Sequence, residues 1–488
     1  VAFPTKNYYW DGLGFARQIE NSTSLPDLIH PNHPLYNPFS YLLWKFALAA
    51  GLNVRAVSVM QVANSVFGAL SAFTLFHILK RFLSTYLTTA FTLLFSFSST
   101  WWKFSTDADA YIVSVLFLLI SFYLVLPGQA SRPFLVALTH SVAMVFHQLA
   151  VFFFPVAALG ILIQSSSLPW KNRWRRVTQY GGLAFLITFG TSCVCFYAQT
   201  ASLDVRRFLR WLTTYASDSG FGFNLKDNVL LTVRGHFRLF FGGRFNFLTE
   251  VINPFSVLLT LALVLASALL LIQLVRKRRE IVVVTERRPE DIHRRGQLVV
   301  LCAVWAAAYF LFLFVFIPQN TFYRLFYLPP LIVLIGVLPR WSDRVGSQRR
   351  VALFTTILAL SNFLFLIFPY AHVRKNTPLS LSLEMNDVWS QKTVIYYLQR
   401  NSDNDTLGYF NPTATWKRLG PHRTKKFESE LRRLYASGGS AWLETSALKQ
   451  IARQRGGQEW LDAHSKEQTR FMLTNRAYDV RLVQLFPR

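Results

Sequence analysis

Ten predominantly apolar runs, each close to the length of a bilayer crossing, occupy most of the chain before residue 371. They are 57–80, 84–102, 110–127, 133–149, 150–165, 178–199, 252–275, 297–317, 322–339 and 350–370. Runs of roughly 18 or more apolar residues read as membrane helices. Backbone in lipid must satisfy its own polar groups, which favours helices wherever the chain crosses. Charged residues make up only 16% of the sequence, where a soluble protein carries about 25%. The fold class this predicts is mainly α: a polytopic helical membrane protein.

The formal net charge of +26 does not point to nucleic acid, because much of the excess sits in short loops between apolar runs, as the positive-inside bias requires. Lys80 and Arg81 end the first run, and Arg132 lies in the next inward loop. Lys171, Arg173, Arg175 and Arg176 follow 150–165. RKRRE, ERRPEDIHRR and then Arg340, Arg344, Arg349 and Arg350 mark two more inward loops. The alternation holds only if 133–165 crosses twice. This topology puts 1–56, 103–109, 200–251, 318–321 and everything after about residue 371 on the outer side. The run 36–50 is short, contains Lys45 and reads as an interfacial helix. The chain opens with VAFPTKNYYWDG, and a further membrane helix is expected upstream of it.

Two domains follow: 1–370, a transmembrane domain with outer loops 1–56, 103–109 and 200–251, and 371–488, a small soluble α/β domain. In the second, TVIYYLQR, TLGYF, SELRRLYA and KQIARQR alternate strand-like and helix-like patterns. Cys193, Cys195 and Cys302 all fall in apolar runs. They form no disulfide framework, which favours a bacterial inner membrane.

Between Asp27 and Asp204 the only acidic residues are Asp107 and Asp109, in WWKFSTDADAY. A carboxylate near lipid is costly unless it faces protein or water, so the pair is a functional-site candidate. One Asp can cap the following helix; two so close raise one proton affinity unless a cation compensates. Lys103, an arginine or a divalent metal ion on Asp107 and Asp109 would serve. Asp11, in NYYWDGLGF, lies on the same expected side, with Tyr9 and Trp10 suited to an interfacial belt. Its structural alternative is a helix N-cap.

The outer loop 200–251 carries Arg206, Arg207, Arg210, Arg234, Arg238 and Arg244, and Arg324 opens a later span. Planar guanidinium groups suit phosphate; anionic lipid headgroups are the alternative partner. His30 and His33 flank the first loop. His140 and His147 lie seven apart on one helix face. A buried histidine is more often a packing residue than a ligand.

In layout the chain resembles the GT-C superfamily of membrane glycosyltransferases, which includes protein O-mannosyltransferases, aminoarabinose transferases acting on lipid A and oligosaccharyltransferase. Asp11 matches the acidic position in the first outer loop of that family, Asp107 and Asp109 the second acidic motif, and the tail the outer domain. Where the family often has paired acids at the first motif, Gly12 follows Asp11. The resemblance implies transfer of a sugar from a polyprenyl-phosphate donor to an acceptor hydroxyl or amine, on lipid, protein or glycan, with inversion. Asp11 would be the base and Asp107 and Asp109 would orient acceptor, donor or metal. The arginines would hold the donor phosphate, and Tyr9, Trp10, His30, His33 and His147 would line the pocket. The alternatives are a lipid-carrier ligase, a lipid-glycan transporter or flippase, and a non-catalytic subunit that keeps the fold.

Overall fold

The computed structural model describes residues 2–218, 223–242, 289–337, 345–373, 376–398, 402–420, 425–475 and 478–487, with isolated positions between 261 and 272. The expected span 252–275 lies almost wholly outside the described residues, as does Arg244. The chain divides into two compact units, residues 1–4 with 18–368 and residues 5–17 with 369–488.

The first helix, α1 (Trp10–Asn21), has residues 10–17 in the smaller unit and 18–21 in the larger. The larger unit is otherwise helical: after α2 (Tyr36–Ala49) come α3 (Ala56–Lys80), α4 (Thr85–Ser96), α5 (Ser99–Ser105) and α6 (Tyr111–Leu124). Next are α7 (Pro133–Phe146), α8 (Phe154–Gln164), α9 (Trp170–Thr200), α10 (Val205–Asp218) and α11 (Leu225–Phe240). The unit closes with α12 (Pro289–Val315), α13 (Leu328–Val337) and α14 (Val345–Asn362). Among the described residues four helical stretches are long and apolar enough to cross a membrane: α3, α9, Glu290–Val315 within α12, and Gln348–Tyr370, which starts in α14. Shorter apolar helices cover Tyr111–Leu124, Pro133–Phe146, Gln148–Gln164 and Leu328–Val337. The chain is thus an integral membrane protein. Close helix contacts use small residues, as expected where lipid supplies no hydrophobic drive between helices. A side chain at Gly160 would put its Cβ 2.6 Å from Val125 Cβ, so only glycine admits that approach.

The expected run 84–102 is broken, and the expected division of 133–165 falls at His147. The run 84–102 ends as α4 and restarts as α5 after Phe97 and Ser98. The run 133–165 breaks at His147, whose backbone is extended and whose Nδ1 accepts the Leu149 N–H at 3.1 Å. Pro155 then sits in the first turn of α8, where its missing N–H is harmless.

In the smaller unit, α15 (Thr377–Glu384), β1 (Thr393–Tyr397), α16 (Ser402–Phe410), β2 (Thr415–Arg418), α17 (Lys425–Ala436), β3 (Ser440–Leu443), α18 (Thr445–Arg453), α19 (Gly457–His464), β4 (Ser465–Asn475) and β5 (Tyr478–Leu485) follow in order. The sheet order is β2-β1-β3-β5-β4. β1 runs parallel to both β2 and β3, while β5 runs antiparallel to β3 and β4. Successive residues of β1 and β3 feed opposite cores: Tyr396, Ala441 and Leu443 pack with Leu431 and Ile451, whereas Ile395 and Trp442 pack with Met385 and Leu407. A sheet buried on both faces is what parallel pairing requires, and it explains why TVIYY is apolar almost throughout. TLGYF lies in α16, SELRRLYA in α17, and KQIAR ends α18.

Candidate active site

The acidic loop is built by α3. Gln61, Asn64, Ser65 and Gly68 follow helical spacing and share one face. Gln61 Nε2 donates to the Thr106 carbonyl at 2.9 Å. Asn64 Nδ2 donates to the carbonyls of Asp107 (2.8 Å) and Asp109 (2.7 Å). Ser65 Oγ donates to the Ser105 carbonyl at 3.0 Å. A Cβ on Gly68 would sit 2.8 Å from Ser105 Oγ, so the glycine lets the loop descend onto the helix. Upstream, Glu20 fixes the start of α3, accepting the Ala56 N–H at 2.8 Å and pairing with Arg55 at 2.7 Å.

Asp107 and Asp109 are both 0% exposed. Each turns back on the chain: Asp107 Oδ1 accepts the Ala108 N–H (2.9 Å) and Asp109 Oδ1 the Ala110 N–H (2.8 Å). Lys103 Nζ pairs with Asp107 Oδ2 at 3.2 Å, one helical turn back. Burial, then the charges of Asp109 and Asp107, hold the Tyr36 phenol well above its usual range, which keeps it a proton donor. Among the described residues no group of three or more His, Cys, Asp or Glu side chains is placed to hold a metal ion. For the metal expected on Asp107 and Asp109 the described residues offer no third ligand of those types, and Lys103 pairs with Asp107.

The first loop docks onto the break at His147. Leu35 N–H bonds to the Val145 carbonyl (3.2 Å) and Gln148 N–H to the Asn32 carbonyl (3.1 Å). His33 Nδ1 meets the Phe146 carbonyl at 3.2 Å. The rings of His30 and His33 are 5.0 Å apart and those of His33 and His147 4.5 Å. Burial pushes His30 down to about 4. Burial, then His147 and His30, hold His33 well below its usual range. These imidazoles are neutral. The structure thus brings His30, His33 and His147 together, and His147 reaches Tyr111 beside the acidic loop at 5.1 Å. His140 and His147 do not share a helix face, because α7 ends at Phe146. His140 instead bonds Tyr180 Oη (2.7 Å) and the Ala150 carbonyl (2.8 Å).

Arg324 lies on a 3₁₀ turn, Phe322–Phe326. That turn packs on both ends of the acidic loop, Phe322 against Phe104 (5.6 Å) and Tyr111 (5.2 Å), and Tyr323 against His147 (5.8 Å). The Arg324 side chain is buried, with the residue only 1% exposed. Nη1 donates to Tyr327 Oη at 2.6 Å and Nη2 to the Pro318 carbonyl at 2.5 Å. Nε is buried and has no hydrogen-bond partner among the described residues. Among the described residues no carboxylate forms an ion pair with it. A buried cation compensated only by neutral groups is expensive and suits an anionic ligand.

The other arginines are placed differently. Arg206, Arg207 and Arg210 on α10 and Arg234 and Arg238 on α11 are all exposed. α11 itself is tied into the membrane unit. Ser99 Oγ and Thr100 Oγ1 donate to the Arg238 carbonyl (2.5 and 3.1 Å), and Asn228 Nδ2 donates to the Phe314 carbonyl (2.8 Å). Buried Asn362 donates to the carbonyls of Phe97 (2.8 Å) and Phe240 (2.7 Å) and accepts the Gly242 N–H (2.9 Å). Gly235 of α11 lies against Arg324, where a Cβ would stand 2.4 Å from Nε. Gly235→Ala must therefore move the guanidinium. If that group holds a phosphate, affinity for a polyprenyl phosphate should fall about tenfold to hundredfold, the worth of one hydrogen bond to a charge. Titration of the purified variant checks this.

Asp11 belongs to the smaller unit. It lies inside the first turn of α1, not at the cap, so the N-cap expectation fails; there it favours the helix dipole. It is half-buried. Burial and the nearby Asp405 charge push its proton affinity up to about 7. Arg17 Nη2 donates to the Asp405 carbonyl at 3.3 Å, and Tyr8 packs on Phe410 (5.5 Å), which seats α16 against this segment. Tyr9 and Trp10 stack at 5.7 Å, and Trp10 is exposed.

The residues missed in the sequence are Tyr36, Gln61, Asn64, Ser65, His236 and Tyr327. The signal for three of them was there: uncharged polar residues at helical spacing inside an apolar run.

No protein-family model and no curated protein matches the sequence. Two solved structures share the fold. ArnT from Cupriavidus metallidurans in its apo state is 11% identical with a TM-score of 0.60, covering 99% of this chain and 93% of that one. The same protein bound to undecaprenyl phosphate is 12% identical with a TM-score of 0.56, covering 97% and 92%. The chain shares the fold of these structures.

Proposed function

We propose that this protein is a membrane glycosyltransferase that moves a sugar from a polyprenyl-phosphate donor to an acceptor hydroxyl or amine on the outer face of the membrane. The observation that carries the reading is Arg324: a buried guanidinium that, among the described residues, has no hydrogen-bond partner at Nε and no carboxylate in an ion pair, in a fold shared with a protein solved with undecaprenyl phosphate. In the reaction, the acceptor oxygen or nitrogen attacks the anomeric carbon. The bond from that carbon to the phosphate oxygen breaks, and the polyprenyl phosphate leaves with the electron pair. The acceptor's proton goes to Asp11, and in-line displacement inverts the centre. The leaving phosphate needs positive charge rather than a proton, which is the role of Arg324. Charges out of water act more strongly than screened ones. The exposed Arg206, Arg207, Arg210, Arg234 and Arg238 therefore serve to attract the anionic carrier. Asp107 and Asp109, held rigidly, orient the acceptor or the sugar hydroxyls.

The test is transfer or hydrolysis from a panel of radiolabelled polyprenyl-phosphate sugars by the reconstituted protein and by Arg324→Gln. Loss in the folded variant is expected. No turnover of any donor by the wild type would overturn the reading.

A base is best matched when its proton affinity lies near working pH, and Asp11 at about 7 meets that condition. Transfer should rise with pH through about 7. Asp405→Asn removes a like charge, so its acidic limb should move to lower pH; a limb that stays put would separate Asp405 from the reaction.

A further inference from the structure

α11 touches Arg324 twice over. Gly235 leaves the space for the guanidinium, and the next residue, His236, is joined to it through Tyr327. His236 Nδ1 lies 2.8 Å from the Thr232 carbonyl, His236 Nε2 lies 3.0 Å from Tyr327 Oη, and Tyr327 Oη lies 2.6 Å from Arg324 Nη1.

The direction of every link follows from chemistry. A carbonyl only accepts, so Nδ1 carries the proton. A guanidinium only donates, so Tyr327 Oη accepts from Arg324. The phenol O–H is then left to donate, and Nε2 of the neutral ring is its acceptor. Burial, and to a smaller degree Arg324, lower the His236 proton affinity against the opposing Thr232 bond, which agrees with that neutral form. The ring also packs on Phe310 at 6.0 Å. Arg324 is the charged group that acts on it.

We propose that His236 is a positioning residue for the donor phosphate: acting through Tyr327, it holds Nη1, and with it the plane of the guanidinium, in place. This rests on the reading that Arg324 binds the phosphate. Without the acceptor at Nε2, Tyr327 would rotate its hydroxyl toward another partner and release its hold on the guanidinium. Hydrogen-bond chains of this kind couple their members, and a double-mutant cycle reads the coupling.

The experiment is binding of a sugar-free polyprenyl phosphate to the full chain in detergent, for wild type, His236→Leu, His236→Gln, Arg324→Gln and the double variant His236→Leu/Arg324→Gln. His236→Leu should weaken binding roughly tenfold, as loss of one such bond implies. His236→Gln, whose side-chain oxygen reaches the Nε2 position, should recover most of it. The double variant should bind no worse than Arg324→Gln alone. If Arg324→Gln leaves affinity unchanged, the phosphate reading itself fails. If Arg324→Gln weakens binding while the two losses simply add, or His236→Leu has no effect, the positioning role fails. Should His236→Leu not fold, Tyr327→Phe breaks the same chain at its middle link and takes its place in the cycle.

Discussion

Asp11→Asn is expected to reduce sugar transfer by about 10²- to 10⁴-fold, the usual contribution of a positioned general base, while the chain stays folded. Loss of activity alone would not distinguish a missing base from a damaged fold, but the proton affinity of Asp11 provides the distinction. Its value rises from 3.8 to about 7 in the native state. The folded chain therefore holds a proton that the unfolded chain has already released between those values. That contribution to stability is complete at low pH and is lost as pH rises through about 7. Above that pH, native Asp11 is a carboxylate half out of water beside Asp405. An amide removes that burden, so Asp11→Asn should melt at the same temperature as wild type or higher at pH 8, and its advantage should shrink toward pH 5. An inactive variant that is more stable is the signature of a strained functional group. Melting curves at both pH values with transfer assays on the same preparation provide the check. Full transfer by Asp11→Asn would remove the base assignment.

Asn64→Leu should damage both the fold and the activity. It removes the donor from two buried carbonyls, those of Asp107 and Asp109. In a soluble protein each orphaned group costs about 1–3 kcal/mol. Hydrogen bonds measured inside membrane proteins are weaker, about 0.6 kcal/mol on average, because the unfolded chain in lipid also finds partners. The expected loss is about 2 kcal/mol, a fall of several degrees in melting temperature. Transfer should fall further than stability, because the acidic loop hangs from this side chain. Asp107→Asn, which keeps an oxygen to accept the Ala108 N–H, should lose activity with a much smaller change in melting temperature. Equal melting of Asn64→Leu and wild type would show that the loop does not depend on the amide.

Much of this architecture was legible from apolar runs alone, since lipid makes hydrophobic length informative. Most helices of the larger unit, α2 among them, and the α/β tail follow from run length and period. The break at Phe97–Ser98 was not legible, and the expected division of 133–165 was placed two residues late, because an extended residue held by tertiary bonds leaves the local composition unchanged. α11 was read only as part of a basic loop. Its membership of the membrane unit depends on Asn228, Asn362, Ser99 and Thr100 meeting carbonyls far away in sequence. The arginines illustrate the same limit: residue type gave seven candidates for phosphate, and burial separates Arg324 from the exposed ones. Asp107 and Asp109 were visible as rare acids, while Lys103 was one of several cations open to them. The helix that carries them was invisible as such, since Asn64 grips main chain and main-chain contacts leave no trace in the partner's residue types.

That last feature also bears on what holds the acidic loop in place. Gln61, Asn64 and Ser65 recognise peptide carbonyls, and recognition of the backbone is indifferent to the side chains it presents. The path of the segment 105–109 is therefore dictated from outside through its main chain, while the buried side chains of Asp107 and Asp109 add their own bonds to the Ala108 and Ala110 N–H groups.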